Sequence, residues 1–136
     1  MIPYSTKSRK LHGTSYSEIR VAALILFDQI KKKSQRKAYI RSAYFNKQKV
    51  FLDYFWAHLF DKSHSERVQR LKFFAASLEL IRYSRNHPIS QENPHKKGEI
   101  LHRFAGLTKD KELFYAQIKE SKRNNTKYFM SCFPAK

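Results

Sequence analysis

The histidines, carboxylates and lone cysteine of this 136-residue chain carry its possible chemistry, and their spacing rules out most of the usual arrangements. Two-metal phosphodiester cleavage needs several converging carboxylates. Here the 11 acids are scattered, with neither an Asp-x-Asp nor a His-Glu-x-x-His pattern. His95 and His102 flank a glycine but have no cysteine pair to complete a zinc site. Cys132 is the one cysteine. It excludes an internal disulfide framework, fits a reducing compartment, and reads as a small hydrophobe rather than a nucleophile. Three glycines leave no Gly-rich loop to cradle a phosphate. No metal or cofactor is expected.

Cations dominate instead. The chain has 28 Lys and Arg against 11 Asp and Glu, a formal net charge of +17. A small domain with that excess repels itself, so an anionic partner is expected: nucleic acid first, then an acidic protein or a membrane surface. Without metal ligands, one nucleic-acid chemistry fits these residue types, cleavage of RNA by its own 2′-hydroxyl. The protein then supplies a base, an acid and cations for the charged transition state, and deoxyribose, lacking the nucleophile, is not a substrate. The longest apolar run, residues 21–27, is far short of the roughly 20 residues that span a bilayer. The opening MIPYSTKSRK has no apolar leader core, so a cytoplasmic protein that does not enter membranes is expected. Hydrophobic residues at 41% and aromatics at 15% suffice for a packed core.

The elements that must position such groups can be read from periodicity. Residues 1–14 are expected as a flexible basic arm ahead of a single α+β domain over residues 15–136. Ser15 and Glu18 have capping-box spacing, which starts a helix running through Ile19, Leu24, Phe27 and Ile30 to Lys33. The nearly unbroken apolar run also fits a buried strand over 21–27. Phe51, Phe55 and Leu59 predict a second helix over 47–60. Val68, Leu71, Ala75 and Leu78 predict a third over 65–84, capped by Ser63. Pro88, Pro94 and Gly98 mark 86–98 as a loop. Strand-like runs follow at 99–105, 113–120 and 127–133, joined by the short turns of an antiparallel meander. The expected fold is α+β, with N-terminal helices packed on one face of a small C-terminal antiparallel sheet.

Alternation along the middle strand sends Phe114, Ala116 and Ile118 one way and Tyr115, Gln117 and Lys119 the other. The second set is expected on the open face, where a solvated strand-edge charge is the plainer reading of Lys119. In the preceding strand Arg103 is expected outward and His102 inward with Phe104. In the last, Ser131 falls with Phe129 and Phe133 as packing. Nucleic-acid contacts are expected from Arg41, Lys47 and Lys49, within a stretch of eight cations and no acid between residues 31 and 49. Arg67, Lys96, Lys97, Tyr115 and Gln117 join them. Tyr39, Tyr44 and Phe45, interleaved with the cations, are either stacking rings or core.

The series NPHKKGEILHRFAGLT, LFYAQIKE and KYFMSCFP, with AYIRSAYFNKQKVFLDYFWAHL and SERVQRLKFFAASLELIRYSRN upstream, resembles the barnase–EndoU–colicin–RelE-like (BECR) nuclease superfamily. The likeness is to its small phage and bacterial toxin-type members and covers residues 38–134. It implies helices followed by an antiparallel sheet, and metal-independent ribonuclease activity leaving 2′,3′-cyclic phosphate ends, often as a toxin held by an acidic antitoxin. It further implies that His102 transfers protons, that Arg103 and Lys119 hold the scissile phosphate, and that Ser131 hydrogen-bonds a phosphate oxygen. Strand parity puts His102 and Arg103 on opposite faces, so a bulge or strand end is needed to bring them together. The alternative is a non-catalytic nucleic-acid-binding protein.

Overall fold

The computed structural model describes residues 1–135. Helix α1 (Tyr16–Ser34) starts at Ser15, whose Oγ accepts the Glu18 amide at 3.3 Å, and carries Lys31, Lys32 and Lys33 in its last turn. It is a helix rather than a strand because Ile19, Ala23, Phe27 and Ile30 recur at helical spacing and are buried, while Val21 and Ile25 stay exposed.

Residues 47–51 depart from the helix expected over 47–60. Residues 39–51 form a hairpin of β2 (Tyr39–Ser42) and β3 (Gln48–Phe51), whose turn holds Asn46 and Lys47 at φ 55° and 65°. Left-handed residues cannot continue a helix. The paired Ile40 and Val50 gain burial in the hairpin, and helix α2 is reduced to Asp53–Leu59. The long third helix is two: α3 (His64–Lys72), with Ser63 as its cap, and α4 (Phe74–Tyr83). They break at Phe73, where φ −97° and ψ 8° leave the helical region. The break lets consecutive rings diverge: Phe73 stacks on Phe114 at 5.4 Å, and Phe74 packs on Phe55 at 5.2 Å.

Strands β5 (Glu99–Leu107), β6 (Leu113–Ser121) and β7 (Lys127–Pro134) form antiparallel neighbours. The sheet is nevertheless mixed and seven-stranded, not a three-stranded meander. Strand β3 adds to β7 in parallel through Val50↔Lys127 and Phe51↔Tyr128. Strand β1 (Tyr4–Ser5) adds to the far end of β5, also in parallel. Strand β4 (Ile89–Glu92), inside the stretch expected as a loop, pairs with residues 100–103. All four of its residues are exposed, so burial leaves no pattern there to read. The first fourteen residues are not a free arm. The Thr6 amide donates to the Leu107 carbonyl, the Lys7 amide to the Glu79 carboxylate and the Leu11 amide to the Lys72 carbonyl, each at 2.8 Å.

One face of β5–β7 carries core: Phe104, Phe114, Ala116, Ile118 and Phe129 are buried, and Phe129 stacks on Phe55 of α2 at 4.8 Å. Among the described residues no helix is long and apolar enough to cross a membrane. Gly106 sits where a Cβ would lie 2.6 Å from Phe114 Cζ and 3.3 Å from Leu80 Cδ2. Gly106→Ala is expected to destabilise the fold by about 1–3 kcal/mol through overpacking. The measurement is the denaturant midpoint at constant slope, and an unchanged midpoint would contradict this packing.

Candidate nucleic-acid interface

Residues opposite one another in a ladder project to the same side of a sheet, so the register sorts the side chains. Leu101, Lys119, Tyr128, Phe51 and Tyr39 make one row across five strands. Arg103, Gln117 and Ser131 make a second, and Ala105, Tyr115 and Phe133 a third. All three rows lie opposite the buried Phe114, Ala116 and Ile118. A bulge decides membership at β7: Ile118 pairs with Phe129 but Gln117 pairs with Ser131, leaving Met130 between them. Simple alternation puts Phe129, Ser131 and Phe133 together. The bulge instead sends Phe129 into the core and Ser131 and Phe133 to the outer face.

The outer face is a sequence of cations laid on rings. The Lys119 ammonium lies 3.7 Å from the Tyr54 ring centroid, 5.4 Å from that of Tyr128 and 3.4 Å from Glu99 Oε2. Tyr54 reaches it because β3 ends after Phe51 and α2 runs on beside β7. Arg103 lies over Phe133 at 5.3 Å and over Tyr115 at 5.5 Å. From α3, Arg70 also lies over the Phe133 ring at 5.5 Å, donates to Ser131 Oγ, and pairs with Glu66 at 3.6 Å. At the β2 end, Lys49 and Arg41 cover Tyr39 at 4.6 and 5.5 Å. Burial alone would raise the Glu99 carboxyl. The Asn93 amide donating at 3.1 Å and the ammoniums of Lys119 and Lys96, each at 3.4 Å, outweigh it and hold that carboxyl below the usual range.

His102 is elsewhere. It is buried on the core face, with Nδ1 2.6 Å from Ser90 Oγ, Nε2 2.8 Å from Glu120 Oε1, and its ring edge-on to Phe45. Glu120 also faces the buried Lys127 ammonium at 3.4 Å. Of the four residues the BECR resemblance groups together, Arg103, Lys119 and Ser131 share the outer face and His102 does not. No bulge lies between His102 and Arg103; the one found is on the opposite side of β6.

The remaining expected contacts divide. Tyr115, Gln117, Arg41 and Lys49 belong to the outer face, and Lys96 reaches it through Glu99. Lys47 and Lys97 are exposed in turns. Arg67 is occupied, donating to the Phe60 and Lys62 carbonyls at 2.7 and 3.0 Å across the α2–α3 connection. Of the interleaved rings, Tyr39 is on the outer face, whereas Tyr44 and Phe45 pack edge-on to Phe104. Burial pushes the Cys132 thiol up to about 12, and it donates to the Arg70 carbonyl. Among the described residues no cluster of three His, Cys, Asp or Glu side chains is suited to hold a metal.

Four members of the face went unread: Tyr54, His58, Arg70 and Tyr128. Tyr54 and His58 are spaced i, i+4 beside the buried Phe55 and Leu59, so one helix face had to present both. Nothing local marked Arg70, which is placed by the packing of α3 on β7. No family model, curated protein or solved structure matches the chain.

A carboxyl held low in the fold contributes stability that is present above its unfolded value, about 4.3, and is lost as pH falls through the folded one. Acid unfolding of Glu99→Gln is therefore expected to fall off less steeply below about pH 4.3 than that of the parent. Matching denaturant midpoints for the two proteins throughout that range would contradict the pairing.

Proposed function

We propose that the chain holds single-stranded RNA on the outer face of its sheet, and that the bound strand is cleaved by its own 2′-hydroxyl without a metal. In this reading α2 and α3 border the outer face through Tyr54 and Arg70, and the rows of Lys119, Arg103 and Tyr115 are left to the ligand. The observation that supports it is the alternation of cations and rings across five strands, a span of about 20 Å at the usual strand spacing. Stacking a base on a tyrosine or phenylalanine is worth about 1–3 kcal/mol, and a phosphate attracts each neighbouring ammonium or guanidinium. The cation–ring contacts already present are worth about 0.5–1 kcal/mol where exposed. At the exposed cations Arg41, Lys49 and Arg103 a nucleotide therefore wins the ring and retains the cation for its phosphate, while the mostly buried Lys119 stays on Tyr54. Cations placed this way also serve the extra negative charge of a phosphorane transition state.

Binding without turnover is the second reading, favoured by the place of His102 on the far face. An acidic antitoxin, under either reading, has to cover the same cations.

Lys119→Ala and Arg103→Ala are each expected to weaken binding of a single-stranded oligoribonucleotide and to reduce the slope of log K against log salt by about 0.7. Cleavage by the parent should persist in EDTA and leave 2′,3′-cyclic phosphate ends. Unchanged affinity and slope in both variants would remove the face from the account. Binding with no product in EDTA would leave the second reading.

A further inference from the structure

We infer that His58 is the group that takes the proton from the attacking 2′-hydroxyl, an inference that rests on the RNA-cleaving reading above. His102 is sealed between Ser90 and Glu120. His64 packs on Tyr16 and His87 on Tyr44. His12 and His95 are exposed at positions outside the three rows. His58 is different. It lies in the last turn of α2, half-buried, with its ring stacked on Tyr54 at 5.7 Å and 18°. Tyr54 is the ring that carries the Lys119 ammonium at 3.7 Å. A phosphate held by Lys119 is therefore set beside the imidazole, and the shared tyrosine fixes the relation between the two.

The charges around His58 suit a base. Lys62 and Asp61 face it from the α2–α3 connection, Arg70 from α3 and Lys119 from β6. The helix C-terminus by itself favours a protonated ring. Burial first, then Lys62, Arg70 and Lys119, oppose this, and Asp61 offsets them only in part, so the imidazole titrates below its ordinary value of 6.5. At neutral pH the ring is uncharged and has a lone pair to offer, which a general base requires.

The step balances with the groups named. The 2′-oxygen bonds to phosphorus as His58 accepts its proton, and the bond from phosphorus to the 5′-oxygen breaks. That oxygen takes a proton from solvent, and the imidazolium returns its own to solvent. The products are a 2′,3′-cyclic phosphate and a 5′-hydroxyl. Lys119, Arg70 and Arg103 carry the negative charge between those states.

The test uses the full chain with EDTA and an oligodeoxynucleotide containing one ribonucleotide, against the all-deoxy oligonucleotide as a binding probe. His58→Gln is expected to lower kcat by about 10²–10⁴-fold and to abolish the acid limb of the pH–rate profile, while affinity for the all-deoxy strand stays within a few-fold. Added imidazole should restore part of the rate to His58→Ala, which a merely structural histidine would not allow. Retained all-deoxy affinity also establishes that each variant is folded. If the parent cleaves but His58→Gln keeps its rate and pH profile, or imidazole rescues nothing in a folded His58→Ala, the assignment is overturned. If the parent itself fails to cleave, the RNA-cleaving reading falls and takes the assignment with it.

Discussion

The Lys119 ammonium is the contact on which the outer face depends, because it joins three elements that are distant in sequence. It arises from β6, rests on the Tyr54 ring from α2 and is paired with Glu99 at the start of β5. An ammonium with side-chain exposure of only 12% needs such partners, since leaving a mostly hidden charge unpaired costs several kcal/mol. The same contacts hold Tyr54 on the face, and Tyr54 in turn stacks on His58. Charge compensation and the geometry of the face are one arrangement.

The core side of the sheet carries a second compensated cation. Lys127 is 4% exposed and meets Glu120, the Asn125 carbonyl at 2.8 Å and the Phe45 ring at 4.9 Å. His102 completes this set by filling the other oxygen of Glu120, and Ser90 fills the remaining ring nitrogen. Buried polar groups are nearly always satisfied, and the two buried here, His102 and Lys127, both are. His102 therefore has a structural task, tying the exposed β4 to the inner sheet. That task explains why a histidine falls on an apolar stripe without bringing it near Arg103.

Much of this was legible in order of residues. Ser15 and Ser63 cap the helices they were read to cap, and the alternation of residues 113–119 sorted β6 correctly, because burial on one side of a strand leaves a period of two. What failed was governed by contacts between distant segments. Phe51, Phe55 and Leu59 have helical spacing, yet Val50 and Phe51 pair with Lys127 and Tyr128, and the strand wins them. The Met130 bulge has no local marker, so Ser131 and Phe133 changed sides. Strand β4 is wholly exposed and β1 is two residues long; neither offers a hydrophobic period. At the site, Lys119, Arg103, Tyr115 and Gln117 followed from parity alone, while Arg70 and His58 depend on how α2 and α3 lie along β7.

In the proposed reading, RNA lies on this one face of the sheet. Photocrosslinking a 4-thiouridine oligoribonucleotide to the chain, with the attachment points mapped by mass spectrometry, tests it most directly. Adducts are expected at Tyr54, Tyr115, Tyr128 or Phe133. Adducts confined to α1, α4 or the Tyr44–Phe45 turn, with those four rings unmodified, would contradict it.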